Sequence, residues 1–312
     1  MTASSEAPFF TVVVPVFNRA STIAAAVRSV LDQTFAEFEV IVVDDASTDE
    51  TVAAVSSIAD ARVRIIRHAT NAGGGAARNA GIDAAAGGYV AFLDSDDRFL
   101  PGKLMAVRRV VADAPRAWIY HACQVDRGGG VIVRRPYRPL AANESVGDLF
   151  FVDREFLQTS TLVVPTGLCR SVRFDPRLRI GQDTDFVVRL QAAEPRSVFM
   201  PEALSVWIDH DVAGRVSKAR HADDLRYWLD KNRDVLTPRA IAGFRATVLA
   251  QAIAPDAPLT ALGYIAGGAV RARLRPRVIA QALLRAFLPP ALYRRIVDTY
   301  LRIRRRAQRP AA

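Results

Sequence analysis

The chain has two cysteines, Cys123 and Cys169, in 312 residues. They are too few and too far apart for a disulfide framework or a Cys-x-x-Cys metal site, and their scarcity suits a reducing compartment. Histidine is also scarce, with four in all, so any bound metal would rely mainly on oxygen ligands. No apolar run approaches the ~18 residues of a membrane-spanning helix. The opening "MTASSEAPFF" has neither the basic region nor the long apolar region of a secretory leader. The Gly-rich stretch "NAGGGAARN" lacks the Lys-Ser/Thr ending of a P-loop, and no G-x-G-x-x-G follows the first apolar segment. ATPase, dinucleotide-binding and nucleotidyltransferase chemistry are therefore disfavoured.

What is present is a globular composition, 50% hydrophobic and 24% charged, with material for one large domain or two moderate ones. The net charge of +10 is unevenly placed. Residues 271–312 hold 12 Arg and one acid, Asp298, or +11, leaving 30 basic and 31 acidic groups, or −1, in the first 270 residues. The body is close to neutral, which argues against nucleic acid as its partner; the basic character belongs to a tail.

Short β-branched runs alternate with helical patterns in the first hundred residues. "FFTVVV" (9–14), "FEVIVV" (38–43), "RVRIIR" (62–67) and "GYVAFL" (88–93) read as strands, and 20–34, 50–60 and 74–87 as helices. Strands of this kind joined by short connections predict right-handed βαβ units and a parallel sheet buried on both faces. Beyond residue 115 the rhythm changes: 117–125, 129–135, 159–165 and 197–210 read as strands, 181–193 as a helix, and 218–275 as Ala-rich and helical.

In parallel sheets ligands bind beyond the carboxyl ends of the strands. Three polar clusters, "PVFNR", "DDASTD" and "DSDD", follow strands one, two and four, so all three should meet on one edge. An Asp-rich turn alone is commonly a solvated loop. Two acidic clusters on one edge, however, leave a negative field that a divalent cation or a donor-rich ligand would take up. Hard oxygen ligands suit Mg²⁺ or Mn²⁺ shared with phosphate oxygens.

Five stretches carry a resemblance: "VVVPVFNR" (12–19), "SVLDQTFAEFEVIVVDDASTDET" (29–51), "NAGGGAARNAGI" (71–82), "GGYVAFLDSDDRFLPGKL" (87–104) and "GQDTDFVVRL" (181–190). In this order they resemble the family 2 glycosyltransferases of GT-A fold, over about the first 210 residues. The resemblance implies an α/β fold, a Rossmann-like mixed but mainly parallel sheet flanked by helices. It implies a glycosyltransferase domain over 1–215, with a nucleotide half (1–115) and an acceptor half (116–215); 216–312 would be a helical, basic extension.

The implied activity is inverting transfer of a sugar from a nucleotide diphosphate to an acceptor hydroxyl, with Mn²⁺ or Mg²⁺. Carried over residue by residue, Pro15, Phe17 and Asn18 would line the nucleotide pocket, and Asp45 would accept from the base imide, which favours uracil or thymine. Asp44 would share that task or brace the strand end. Asp94 would face the ribose or sugar, Arg78 would touch phosphate, and Asp96 would hold the metal, with Asp97 a competing ligand. His210 would stand near the metal and diphosphate, and Asp183 would be the general base. Gln182 departs from the family's usual Glu. That leaves an alternative, a catalytically silent nucleotide-sugar-binding or scaffold protein. The Q-x-x-R-W signature of processive synthases is absent, so single-residue transfer is expected.

In the tail, "LYRRIVDTYLRIRRR" (292–306) places Leu292, Ile296, Val297, Tyr300 and Ile303 on one helical side with Arg294, Arg295, Arg302 and Arg305 opposite. A basic amphipathic helix suits an anionic membrane surface. The expected location is therefore cytoplasmic, peripheral on the inner face of the plasma membrane. The expected partners are a nucleotide-sugar donor, a glycan or lipid-linked acceptor of envelope or exopolysaccharide synthesis, and that surface.

Overall fold

The computed structural model describes residues 7–209 and 222–307. In chain order the strands are β1 (Phe10–Val16), β2 (Phe38–Asp44), β3 (Val63–Arg67), β4 (Tyr89–Phe92), β5 (Arg98–Phe99), β6 (Trp118–Asp126), β7 (Ile132–Arg135), β8 (Leu162–Pro165) and β9 (Ser197–Ile208). The first seven helices are α1 (Ile23–Leu31), α2 (Thr51–Ser56), α3 (Gly74–Ala84), α4 (Lys103–Asp113), α5 (Val146–Phe151), α6 (Thr166–Val172) and α7 (Gln182–Ala193). The remaining helices are α8 (Ala222–Lys231), α9 (Pro238–Phe244), α10 (Ala250–Ile253), α11 (Pro258–Arg271), α12 (Pro276–Phe287) and α13 (Pro290–Ala307). The chain divides into two compact units: 1–125 with 134–139 and 157–208, and 126–133 with 140–156 and 209–312.

The first unit is the expected α/β architecture. Its sheet runs β3-β2-β1-β4-β8-β6-β9-β5, with β7 pairing β6 off the path. β3, β2, β1 and β4 are parallel neighbours. Strand alternation sorts their side chains onto two faces. Val12, Val14, Val40 and Val42 pack with Ile23, Val27 and Val30 of α1 and Leu104 and Val107 of α4. Ile41 and Val43 point the other way, against Ala77 of α3. A Cβ on Gly81 would come within 2.4 Å of Val13 Cγ1, so this position of α3 admits no side chain without repacking.

At β4 the pairing changes from parallel to antiparallel, with Ala91 opposite Val163 and Tyr89 opposite Pro165 of β8. An antiparallel partner starts where its neighbour ends. The turn at Thr159–Thr161 that leads into β8 therefore lies at the carboxyl end of β4. In the same way β5 pairs β9 through Arg98 with Val206 and Phe99 with Ser205, which brings the end of β9 to the segment after β4.

The second unit holds helices α5 and α8–α13. Phe151 meets Trp228 and Phe244 edge-on at 5.3 and 4.9 Å, and those two rings stack at 4.8 Å. Thr237 caps α9 through Ala240 N, followed by Pro238 at the first helical position. A single π turn over Arg245–Leu249 joins α9 to α10. The stretch 218–275, read as helical, is so within its described residues, with breaks after Lys231, Ile253 and Arg271. The tail is helical too, as α13. Arg294 of α13 faces inward, where it and Asp298 meet Arg127 and Asp209, and Val297 and Leu301 on the same side are half-buried with them.

Candidate active site

The turns after β1 and β2 are stitched to each other. Asn18 N donates to Ser47 Oγ at 2.9 Å and Thr48 N donates to Asn18 Oδ1 at 2.8 Å. Arg19 N donates to Thr51 Oγ1 at 2.8 Å. Two of these turn residues are left-handed without being glycine, Asn18 at φ 50° and Ala46 at φ 63°. Pro15 is buried within β1 opposite Val43, while Phe17, just past the strand, is exposed. Asp44 is buried and braces the strand end, accepting from Ser47 N at 3.2 Å and pairing with Arg67 Nε at 3.1 Å.

Asp45, also buried, organises the start of α3. Its Oδ1 accepts from Ala72 N at 2.9 Å and from His68 Nδ1 at 2.8 Å, and its Oδ2 accepts from Gly73 N at 2.7 Å. A carboxylate is thus set at the positive end of the helix, where the unpaired N–H groups favour it. Gly73 is left-handed at φ 87°. One residue on, a Cβ on Gly74 would sit 3.1 Å from Arg78 Nη1 and 3.3 Å from Gln182 Oε1, so the first turn of α3 also touches the start of α7.

Arg78 makes the connection across the edge. Its Nη2 donates to Asp94 Oδ1 at 2.6 Å and its Nη1 donates to Gln182 Oε1 at 2.9 Å. The guanidinium lies 5.3 Å from the Phe174 ring centroid, and Nε is buried without a partner. Gln182 in turn donates to Leu178 O at 2.6 Å. Gln182 thereby supplies the acceptor that a Glu would have supplied, without its charge.

The acidic turn after β4 separates its three carboxylates by environment. Asp94 and Asp96 are partly exposed, and Asp97 is buried. Asp97 Oδ2 accepts from Ser160 Oγ at 2.8 Å and from Gln158 Nε2, and its Oδ1 accepts from Ile208 N at 3.2 Å. The same Gln158 amide donates to Asp94 Oδ2 at 3.1 Å, and Asp94 N donates to Ser160 Oγ at 2.9 Å. Burial first, then the charges of Asp94 and Asp96, push the Asp97 carboxyl well above its ordinary value. Lys103 is buried nearby, its Nζ donating to Ser160 O at 2.8 Å and lying 3.4 Å from the Phe99 ring centroid. Burial pushes it well below the usual lysine range, against the opposing pull of Asp97.

Asp183 stands in the first turn of α7, and its Oδ1 accepts from Thr184 N at 2.8 Å. Its carboxyl is raised, chiefly by desolvation and further by the Asp94 charge, while the Thr184 bonds and Arg78 oppose the rise. Asp183 directly follows Gln182, the residue that Arg78 holds.

Arg78, Asp94 and Gln182 therefore form one bonded set, with Asp45 at the head of the same helix, Asp96 in the same turn as Asp94, and Asp183 beside Gln182. The Asn18 side chain is spent on holding the neighbouring turn. His210 lies outside the described residues. No group of three or more His, Cys, Asp or Glu side chains able to hold a metal is found among the described residues. Sequence reasoning did not single out Gln158, Ser160 or Lys103. The only signal near the first two was an apolar strand beginning at "TSTLVV".

The family model for glycosyl transferase family 2 matches residues 11–180, more than half of the chain. The chain belongs to glycosyl transferase family 2. As a family 2 glycosyltransferase it is 29% identical over 249 residues to the amylovoran biosynthesis glycosyltransferase AmsB of Erwinia amylovora, covering 76% of this chain and 82% of that one. It is 34% identical over 266 residues to the succinoglycan biosynthesis protein ExoO of Rhizobium meliloti, covering 78% and 76%. Among solved structures, S. aureus TarS 1–349 in complex with UDP-GlcNAc superposes with a TM-score of 0.64 at 20% identity, over 97% of this chain and 93% of that one. The mannosyltransferase PcManGT of Pyrobaculum calidifontis, in complex with GDP-Man and Mn²⁺, gives 0.58 at 20% identity, over 95% and 86%. These two likenesses establish a shared fold for this glycosyltransferase.

Proposed function

We propose that this glycosyltransferase moves a single sugar, with inversion, from a UDP- or dTDP-linked donor to an acceptor hydroxyl in the synthesis of an envelope or extracellular polysaccharide. The names of AmsB and ExoO support the polysaccharide, and the UDP-GlcNAc complex of TarS supports the donor class. The observation that carries the reading is Arg78. One guanidinium joins Asp94, after β4, to Gln182, beside Asp183, so a donor held at the acidic turn would lie next to a carboxylate on α7. Exposed Phe17 offers a face for the base, and Asp45 supplies the rigid turn against which the base would rest.

For a divalent metal, the donor chemistry fits at Asp96. It is a hard oxygen ligand, partly exposed, whereas Asp97 is committed to three protein donors. With one protein carboxylate, the remaining ligands would be diphosphate oxygens and water, as suits Mg²⁺ or Mn²⁺; His210 would be a further candidate from the sequence. When bound, such a metal offsets the charge that develops on the departing diphosphate. Asp94, oriented by Arg78 and Gln158, would accept from a ribose or sugar hydroxyl. Asp183 would take the acceptor's proton, and its raised carboxyl suits a base better than an ordinary Asp would.

Gln182 does not favour the silent-scaffold alternative, because it keeps an acceptor on Arg78. A lipid-linked acceptor would put the reaction at the inner face of the plasma membrane, and the basic tail is the part suited to that surface. No helix among the described residues is long and apolar enough to cross a membrane. The test is donor turnover with Mn²⁺ or Mg²⁺ across UDP-, dTDP- and GDP-sugars, before and after chelation, in wild type and Asp183→Asn. Tight UDP binding with no turnover on any glycan or lipid-linked acceptor would favour the scaffold; equal turnover in both proteins would remove Asp183 as the base.

A further inference from the structure

Thirteen large hydrophobic side chains are exposed among the described residues, and nine of them lie between Leu259 and Tyr300. The arrangement of α13 explains why this is not ordinary surface. An amphipathic helix on a globular body turns its apolar side inward. Here Arg127 Nη1 lies 2.9 Å from Asp209 Oδ2 and Arg127 Nε 2.8 Å from Asp298 Oδ1. Arg294 closes the set, 3.8 Å from Asp209 and 3.7 Å from Asp298. The side of α13 that meets the rest of its unit carries this ionic set beside half-buried Val297 and Leu301, and Leu292, Ile296 and Tyr300 are turned to solvent at 45, 42 and 52% exposure. α12 buries Val278 and Ala282 and exposes Leu283, Leu284 and Phe287 at its end. Four residues separate Phe287 from Leu292, Pro289 and Pro290 among them, so the two exposed sets meet at the elbow. Arg285 of α12, its guanidinium 5.5 Å from the Tyr293 ring centroid of α13, ties the helices together there.

We infer that the α12–α13 elbow is a docking face for an anionic lipid bilayer, lying in the interfacial plane. Charge decides the occupant. Residues 271–312 carry +11, so a second copy of the chain would bring like charges together. A nucleic acid would leave Leu283, Leu284 and Ile296 in water. An anionic bilayer accepts both features at once, the aliphatic tips below the headgroups and the arginines among the phosphates. The inference deepens the proposed transfer, which supplies a reason to work at a membrane, and rests on that reading only for this purpose.

Co-sedimentation of the full chain with vesicles tests it without donor or acceptor. The protein should partition onto phosphatidylglycerol-containing vesicles, weakly onto pure phosphatidylcholine, and be released at high salt. The variant Leu284→Ser/Phe287→Ser/Ile296→Ser should bind at least ~10-fold less at unchanged melting temperature, since all three side chains are exposed. Arg295→Glu should weaken binding to anionic vesicles while leaving the phosphatidylcholine baseline alone. Failure of wild type to bind, unchanged binding of the triple variant, or a salt-resistant dimer that the same variant disperses would each overturn the proposal. A chain that binds vesicles yet transfers no sugar would overturn the transfer reading alone.

Discussion

Asp96 and Asp97 are adjacent in sequence, and the structure separates what each should do. In Asp97→Ala, Ser160 Oγ and Ile208 N lose their acceptor, Gln158 Nε2 keeps only its weaker ones, and buried Lys103 loses the carboxylate whose charge supports it. Removing one member of a buried charged set costs about 3–5 kcal/mol. Part of that is offset, because ionised Asp97 is itself held at a cost: its carboxyl is raised in the folded state. With a raised pKa, its contribution to stability is largest below the unfolded value and declines as pH climbs towards the folded one. The lower end, about 3 kcal/mol at neutral pH, is the expectation, or a fall of roughly 6–12 °C in melting temperature for a domain of this size. Asp96→Ala removes a partly exposed side chain and should cost less than about 1 kcal/mol. It should instead abolish the extra thermal stabilisation that Mn²⁺ gives in the presence of UDP. Melting curves of the three proteins, with and without UDP and Mn²⁺, measure both quantities. A wild-type melting point in Asp97→Ala, or a retained Mn²⁺-dependent shift in Asp96→Ala, would refute the assignment.

Asp183→Asn should lower kcat by about 10²–10⁴ with little change in donor affinity. The base works ionised, so wild-type kcat/KM should rise with pH through a value above the ordinary Asp range, and Arg78→Met, which removes a group that lowers it, should move that limb upward. Gln158→Met should raise the donor KM severalfold through a misplaced Asp94, yet leave the melting temperature nearly unchanged. The lost bonds are balanced by removal of the buried, unpartnered Oε1, an orphan worth about 1–3 kcal/mol. Gly81→Ala, measured by denaturant unfolding, should cost about 1–3 kcal/mol, because its Cβ would fall 2.4 Å from Val13.

The first four strands were legible because β-branched runs with both faces buried leave few other readings, and the edge where their turns gather followed from parallel topology. Helix ends were less so. The helix read over 74–87 stops at Ala84. A Cβ on Gly87 would come within 2.6 Å of the Phe10 and Thr11 backbone, a tertiary demand that an Ala-rich stretch does not announce. α4 was missed because its first residue, Lys103, is a buried cation and breaks the apolar pattern. Arg78 could be found as the one cation of a helix beside the donor edge. Gln158 could not: it stands 61 and 64 positions from the carboxylates it holds, and an isolated Gln before a strand carries no pattern. The tail's amphipathic spacing was readable, but not the direction it faces, since this depends on Arg127 and Asp209 far away in sequence.

Ala46 and Asn18 stand in a backbone region that side chains resist, and the turns they form border the proposed base pocket. Glycine at position 46 would relax that tension, yet it would also loosen the turn before any nucleotide arrives. Whoever sets out to make this enzyme more heat-tolerant will find the easiest gain beside its donor, where a small relief of strain would be repaid in slower catalysis.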